Sequence, residues 1–369
     1  ADYRRFCNNH FWLDDYALFM AIKEKHNHQS FTCWDDDLKF RKPSVIKNFI
    51  KENKELLEFY KITQYFFYSQ FFELKDYAFQ KGILIIGDIP FYIAYDSADV
   101  WSNPELFELD SQLLPLNVAG VPPDFFSTSG QLWGNPLYDY DQMKKDNYNW
   151  FKRRFENSFL KCDILRIDHF RAFDSYYAIP FGSVDACIGE WRKGVGLEFL
   201  EETELIGKNI IAEDLGDVGE SVQQLIKESG FPNMKVLEFA FDRGQKNEFL
   251  PHNYDNNCVV YTGTHDNNTV RGWYKNIAPV EKKMLYDYMP RSRYMKKSKA
   301  LIEMALESVA DTAIIPMQDY LDLGEDARMN MPSTLGGNWE WRVKKEQLSD
   351  KLARRIRKLT LRTKRIDFC

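Results

Sequence analysis

The hydrophobic positions of this chain fall into short runs, and the runs share one kind of ending. Ile83 to Ile86 precede Asp88, Ile164 to Ile167 precede Asp168, and Ile210 to Ala212 precede Glu213. Further along, Val236 to Ala240 surround Glu238, Val259 to Thr262 lead to His265-Asp266, and Ala313 to Ile315 lead to Gln318-Asp319. Runs this short and this rich in β-branched residues read as strands buried on both faces, the habit of parallel sheets. The polar segments between them have helical spacing, as in Ser221 to Ser229 and Arg291 to Val309. Strands alternating with helices predict parallel βα units. The polar residues stand at the C-terminal ends of the strands, where barrel enzymes carry their chemistry. The pattern therefore predicts an α/β fold of the (β/α)8 TIM type rather than an open sheet.

The first part of the chain has a different pattern. Trp12 to Glu24 and Pro43 to Tyr77 read as helices, and no convincing buried strand occurs before residue 81. The domain reading is thus a helical subdomain over residues 1–80 packed beside a catalytic barrel over residues 81–369. Within the barrel, residues 101–140 are dense in Pro, Gly and aromatics and are expected to form a long loop against the substrate, since loops of that length in a compact domain usually serve function. Lys351 to Arg365 is basic with apolar positions at helical period, which predicts a terminal helix docked on the barrel with a solvated basic face.

Composition narrows the partners. Lys and Arg total 49 against 55 Asp and Glu, a net charge of -6, so no basic field exists to hold nucleic acid. The apolar run Gly82 to Gly87 is far below the roughly 20 residues a membrane helix needs, so no membrane association is expected. Cys7, Cys33, Cys162, Cys187, Cys258 and Cys369 are scattered without a C-x-x-C pair, which argues against a disulfide framework and against a zinc site. A cytoplasmic protein is expected, with its oligomeric state left open. The 28 Phe, 20 Tyr and 9 Trp admit two readings: flat rings lining a sugar cleft, or aromatic packing in the core.

Asp168, Glu213 and Asp266 are the candidate chemistry. Retaining cleavage of a glycosidic bond needs one carboxylate to attack the anomeric carbon and a second carboxyl to protonate the leaving oxygen, about 5–5.5 Å apart, and neighbouring strand ends supply such a pair. Arg166, two positions before Asp168, shares its face of the strand and would hold that carboxylate ionised. Glu213 follows the apolar Ile210-Ile211-Ala212, where dry surroundings would raise its pKa and keep it protonated for acid work. His265 and Asp266 together could bond adjacent sugar hydroxyls. Taken singly, each acid could equally cap a helix or sit in a salt bridge. Asp168-His169 and His265-Asp266 are also metal-ligand types, but neither has the spacing of a specific ligand set.

Several strings carry a resemblance. Gly87-Asp88-Ile89-Pro90-Phe91-Tyr92, Gly120-Val121-Pro122-Pro123-Asp124, Gly130-Gln131-Leu132-Trp133-Gly134-Asn135-Pro136, Leu165-Arg166-Ile167-Asp168-His169-Phe170-Arg171, Ala212-Glu213-Asp214-Leu215-Gly216 and Thr262-Gly263-Thr264-His265-Asp266-Asn267 resemble the 4-α-glucanotransferases, or amylomaltases, relatives of the α-amylases. The match runs from Trp12-Leu13-Asp14-Asp15-Tyr16 to Arg328-Met329-Asn330 and Gly337-Asn338-Trp339-Glu340-Trp341-Arg342. It implies retaining transfer of an α-1,4-glucan segment to the 4-hydroxyl of glucose or a maltooligosaccharide, with no metal or organic cofactor. It implies Asp168 as nucleophile, Glu213 as acid/base and Asp266 as transition-state stabiliser. Arg166, His265, Trp133, Asn135, Asp88, Tyr92, Asp124 and His169 become substrate-binding candidates. An α-glucan hydrolase and a degenerate glucan-binding relative are the alternatives.

The chain departs from the family at Ala172, where Gly is usual, at Ser333-Thr334, where a Gly-Thr step is usual, and at Asn268, where an acid is usual. Nothing in residues 1–11 resembles the family's first barrel strands, so the expectation is a barrel whose N-terminal strands are absent from this chain: either a fragment of a longer protein or a chain in which that segment is replaced or lost.

Overall fold

The computed structural model describes residues 2–123, 127–216, 218–242 and 247–366. They form two compact units, residues 1–230 and 231–369.

The first unit begins with helices. Asp2–Asn9, Leu13–Lys25, Pro43–Glu52 and Lys54–Gln80 account for most of residues 2–80. The long helical pattern expected from Pro43 onward is broken at Asn53, whose side chain and backbone N–H both turn back to the carbonyl of Phe49 (2.9 and 3.0 Å). That bonding favours termination over continuation. The helix Leu13–Lys25 buries Leu13, Ala17, Leu18, Ala21 and Ile22 and is tied to Lys54–Gln80 by Tyr60 donating to Glu24 (2.6 Å).

Among the described residues, seven strands follow in this unit: β1 (Ile86–Ile89), β2 (Asn117–Val121), β3 (Gln131–Pro136), β4 (Ile164–Ile167), β5 (Ser175–Pro180), β6 (Glu190–Lys193) and β7 (Ile210–Ala212). β1, β4 and β7 are parallel neighbours, with Asp88 opposite Arg166 and Ile167 opposite Ala212. Their inner positions, Leu165, Ile167, Ile210, Ile211 and Ala212, are at most 2% exposed, which explains why they read as unbroken apolar runs. β3, β2, β5 and β6 form a separate antiparallel sheet. The stretch expected to be loop from residue 101 to 140 therefore contains two paired strands. Their composition hides them, because β2 and β3 carry Gly120 and Gly134 and few β-branched residues, whereas strand propensity rests on branched and aromatic side chains.

The surplus aromatics are largely packing. Phe91 meets Phe173 edge-on at 4.9 Å, Tyr138 meets Phe151 at 4.8 Å, and Phe151 meets Phe199 at 5.0 Å. Edge-to-face geometry suits the ring quadrupoles and adds to burial.

The second unit is built on β8 (Asn233–Val236), β9 (Cys258–Tyr261) and β10 (Thr312–Ile314), all parallel. Helices Val270–Asn276, Pro279–Tyr288 and Lys297–Glu307 pack Val270, Leu285, Leu301 and Met304 against Val260 and Phe241. The basic terminal segment is the helix Asp350–Arg362, and beyond it Arg365 caps carbonyls at the end of Lys297–Glu307, with Nη2 2.9 Å from the Ser308 oxygen. Cations there suit the negative pole of that helix.

Candidate active site

The register of the parallel sheet in the first unit positions its candidate residues. Asp88 and Arg166 lie opposite each other on β1 and β4 and so point to the same side. Arg166 Nη1 donates to both Asp88 oxygens, at 2.8 and 2.7 Å. Asp168, two residues beyond Arg166 on the same face, places Oδ1 3.0 Å from the same nitrogen. The guanidinium side chain is 8% exposed and the Asp168 carboxylate 45%, so the cation is held within the protein while the acid it orients faces outward. Burial works against the Arg166 charge, but Asp88, Glu213 and Asp168 outweigh it and raise its pKa. It remains a fixed cation.

Glu213 stands one residue past β7, as Asp168 does past β4. The ladder continues beyond both strand ends: Asp168 N–H donates to the Ile89 carbonyl (3.0 Å) and Glu213 N–H to that of Ile167 (3.1 Å). The Glu213 carboxylate accepts from the backbone N–H of His169 (2.7 Å) and of Leu215 (2.9 Å). Both bonds favour its charged form, as does Arg166. Burial, then the neighbouring Asp168 charge, favour the neutral form more strongly and push its pKa up to about 7. The residue is 9% exposed. One strand end thus carries a paired, outward-facing carboxylate, and its neighbour a carboxyl that still holds a proton near neutrality.

His169 takes a left-handed backbone, φ 54°, which is uncommon outside Gly and concentrated at functional sites. That turn aims its N–H at Glu213. Its ring meets Trp133 edge-on at 4.7 Å and lies 6.3 Å from Tyr92. Burial, with Arg171 adding to it, lowers the imidazole pKa to about 3, so the ring is neutral. Tyr92 is 6% exposed and stacks on Tyr138, so it backs His169 and Trp133 from within. Trp133 projects from β3 and is 36% exposed. Asn135 donates to the Ile93 carbonyl (2.7 Å), joining β3 to the segment after β1. Asp124 lies outside the described residues.

Asp266 and His265 belong to the second unit, on the loop after β9. Asp266 Oδ1 accepts from Asn330 Nδ2 (2.6 Å), Oδ2 lies 3.3 Å from His265 Nε2, and the Asp266 carbonyl accepts from Arg328 (2.5 Å). The His265 ring rests 5.0 Å from Trp339. Arg328, Asn330 and Trp339 are contacts that strand-end reasoning missed. They follow no strand, and only their place in the family-like strings signals them. Among the described residues no three His, Cys, Asp or Glu side chains gather as a set that could hold a metal ion.

Carboxylates at the C-terminal ends of parallel strands are the arrangement of the TIM-type α/β enzymes. The chain belongs to the 4-alpha-glucanotransferase family, whose model matches residues 1–348. It is 48% identical to the 4-alpha-glucanotransferase of Clostridium butyricum, over 95% of this chain and 72% of that one. It is 45% identical to the enzyme of the same name from Streptococcus pneumoniae, over 99% of this chain and 74% of that one. The fold matches that of an amylomaltase from Streptococcus agalactiae, solved in complex with acarbose, with a TM-score of 0.95 at 40% identity, covering 98% of this chain and 74% of that one. The TIM-type α/β class expected from the run pattern is thereby established.

Proposed function

We propose that this chain is a retaining 4-α-glucanotransferase acting on α-1,4-glucans and maltooligosaccharides. Membership of a family whose curated relatives carry that name supports the activity, and the Asp168–Glu213 contrast supports the division of labour. In the first step Glu213 gives its proton to the glycosidic oxygen as Asp168 Oδ attacks C1. The C1–O bond breaks, the donor's reducing-end fragment leaves as an alcohol, and the remaining segment is ester-linked to Asp168. In the second step ionised Glu213 takes the proton of an acceptor 4-hydroxyl, whose oxygen attacks C1 and releases Asp168.

Arg166 orients Asp168 and is itself held by Asp88. Asp266, with His265, is assigned the stabilisation of the oxocarbenium-like transition state on its Thr264-His265-Asp266-Asn267 string, and its bond from Asn330 supports a fixed carboxylate there. Trp133, backed by His169 and Tyr92, offers a flat partly exposed face for a sugar ring. Five free cysteines among the described residues support a reducing, cytoplasmic setting.

Maltotriose tests the reading. Longer maltooligosaccharides together with glucose are expected, and acarbose should suppress their formation. Glucose and maltose with no longer products would replace transfer by hydrolysis.

A further inference from the structure

Two strand-end acids, Glu238 after β8 and Asp319 after β10, have no part in the chemistry above, yet both are buried, at 6% and 2% exposure. Asp319 Oδ2 accepts from the Thr262 hydroxyl (2.6 Å) and its Oδ1 from the Val270 backbone N–H (2.9 Å). Those donors stand at the two ends of the loop that carries His265 and Asp266. One carboxylate therefore closes that loop at both ends.

Glu238 lies beneath the same loop. Its N–H donates to the Thr262 carbonyl (3.2 Å), and a Cβ at Gly263 would stand 3.2 Å from Glu238 Oε1. That oxygen is shielded from solvent and has no hydrogen-bond partner among the described residues. The groups facing the pair are few. Glu238 faces Asp319 and Arg328. Asp319 also faces Asp322, which is paired with Lys296 (2.7 Å) and Ser298 (2.6 Å). Burial first, then Asp319, raise the Glu238 pKa well above the usual range, with Arg328 opposing. Arg328 meanwhile donates to the carbonyls of Asp266 (2.5 Å) and Asn330 (2.9 Å). An ionised Glu238 would compete for that cation and repel Asp319.

We propose that Asp319 and Glu238 are positioning residues for Asp266: Asp319 clamps the ends of its loop, and Glu238, buried under Gly263, supports the loop from beneath while Arg328 holds the Asp266 carbonyl. The proposal rests on Asp266 being the transition-state carboxylate.

The test uses maltotriose disproportionation by purified Asp319→Ala, Asp319→Asn, Glu238→Gln and Glu238→Ala variants, with folding followed by thermal melting. Misplacing a catalytic group by about 1 Å costs on the order of 100-fold. Asp319→Ala is expected to lose that much in kcat with KM within about threefold, and Asp319→Asn roughly tenfold. Glu238→Gln should keep kcat within about threefold at pH 6, whereas Glu238→Ala loses roughly tenfold. Wild-type kcat in both Asp319 variants, or a Glu238→Gln variant as impaired as Glu238→Ala, would overturn the proposal. Should Asp319→Ala not fold, Asp319→Asn and the Glu238 pair decide the matter. A wild-type protein that forms no longer oligosaccharides would instead overturn the transferase reading.

Discussion

At the residue scale, two carboxyls of the same chemistry are divided by their surroundings. Asp168 meets Arg166 and faces outward, while Glu213 is buried with its pKa at about 7. A general acid must be protonated to act, so kcat/KM is expected to fall as pH rises through about 7, and a pH–rate profile reads this directly. The same shift has a stability consequence. The folded-state pKa is raised above the usual 4.5, so the stabilisation is complete below about 4.5 and is lost as pH rises through about 7. Glu213→Gln should abolish transfer and remove this pH dependence: one of the His169 and Leu215 N–H groups is left facing the amide NH2 at every pH, but stability relative to wild type should rise by on the order of 3 kcal/mol between pH 4 and pH 8, which melting curves at the two pH values check. Asp168→Asn removes the proposed nucleophile and should lower kcat by at least about 1,000-fold with the melting temperature within a few degrees, since its side chain is nearly half exposed.

At the scale of elements, the site depends on how strands register. Parallel pairing of β1, β4 and β7 sets Asp88, Arg166, Asp168 and Glu213 side by side, and a one-residue slip would turn them to the opposite face. β2 shows how tightly such pairing is packed. A Cβ at Gly120 would lie 2.2 Å from the Gln131 carbonyl on β3 and 2.5 Å from Ile179 on β5. Gly120→Ala is therefore expected to cost about 1–3 kcal/mol through overpacking, read from urea unfolding. Trp133 stands on β3, so the same variant should also raise KM for maltotriose. Wild-type stability for Gly120→Ala would show that the sheet can relax around the methyl group.

At the scale of the molecule, the transferase reading requires the glucan to bind the folded chain before chemistry. In Asp168→Asn, binding is separated from turnover, so maltotriose should raise the melting temperature of that variant in a concentration-dependent way. Saturation at 100 times Kd corresponds to about 2.7 kcal/mol. Glycerol at equal concentration should not reproduce it, and equal shifts from both would argue against a sugar site. Much was legible without coordinates at this scale. Short apolar runs ending in acids marked β4, β7 and β9, because strands buried on both faces must be apolar throughout; the runs Ile83–Ile86 and Val236–Ala240 meet β1 and β8 at one residue only, and Ile83, Leu84 and Ile86 are exposed. The same logic located Asp168, Glu213 and Asp266, and even Glu238 and Asp319. The antiparallel strands at 117–121 and 131–136 were not legible, because their glycines and lack of polar–apolar alternation resemble a loop until a partner strand supplies the hydrogen bonds.

What the linear order of residues determined by itself is the alternation of elements, the positions of the strand-end acids and the family those strings belong to. Each depends on local composition and spacing. Tertiary structure alone decided which acid is buried and which is paired, that Arg166 serves Asp88 and Asp168 at once, and that Asp319 closes the loop of Asp266 from the short helix Met317–Tyr320, far along the chain. Desolvation and charge pairing depend on neighbours brought together by folding, and no window of sequence contains them.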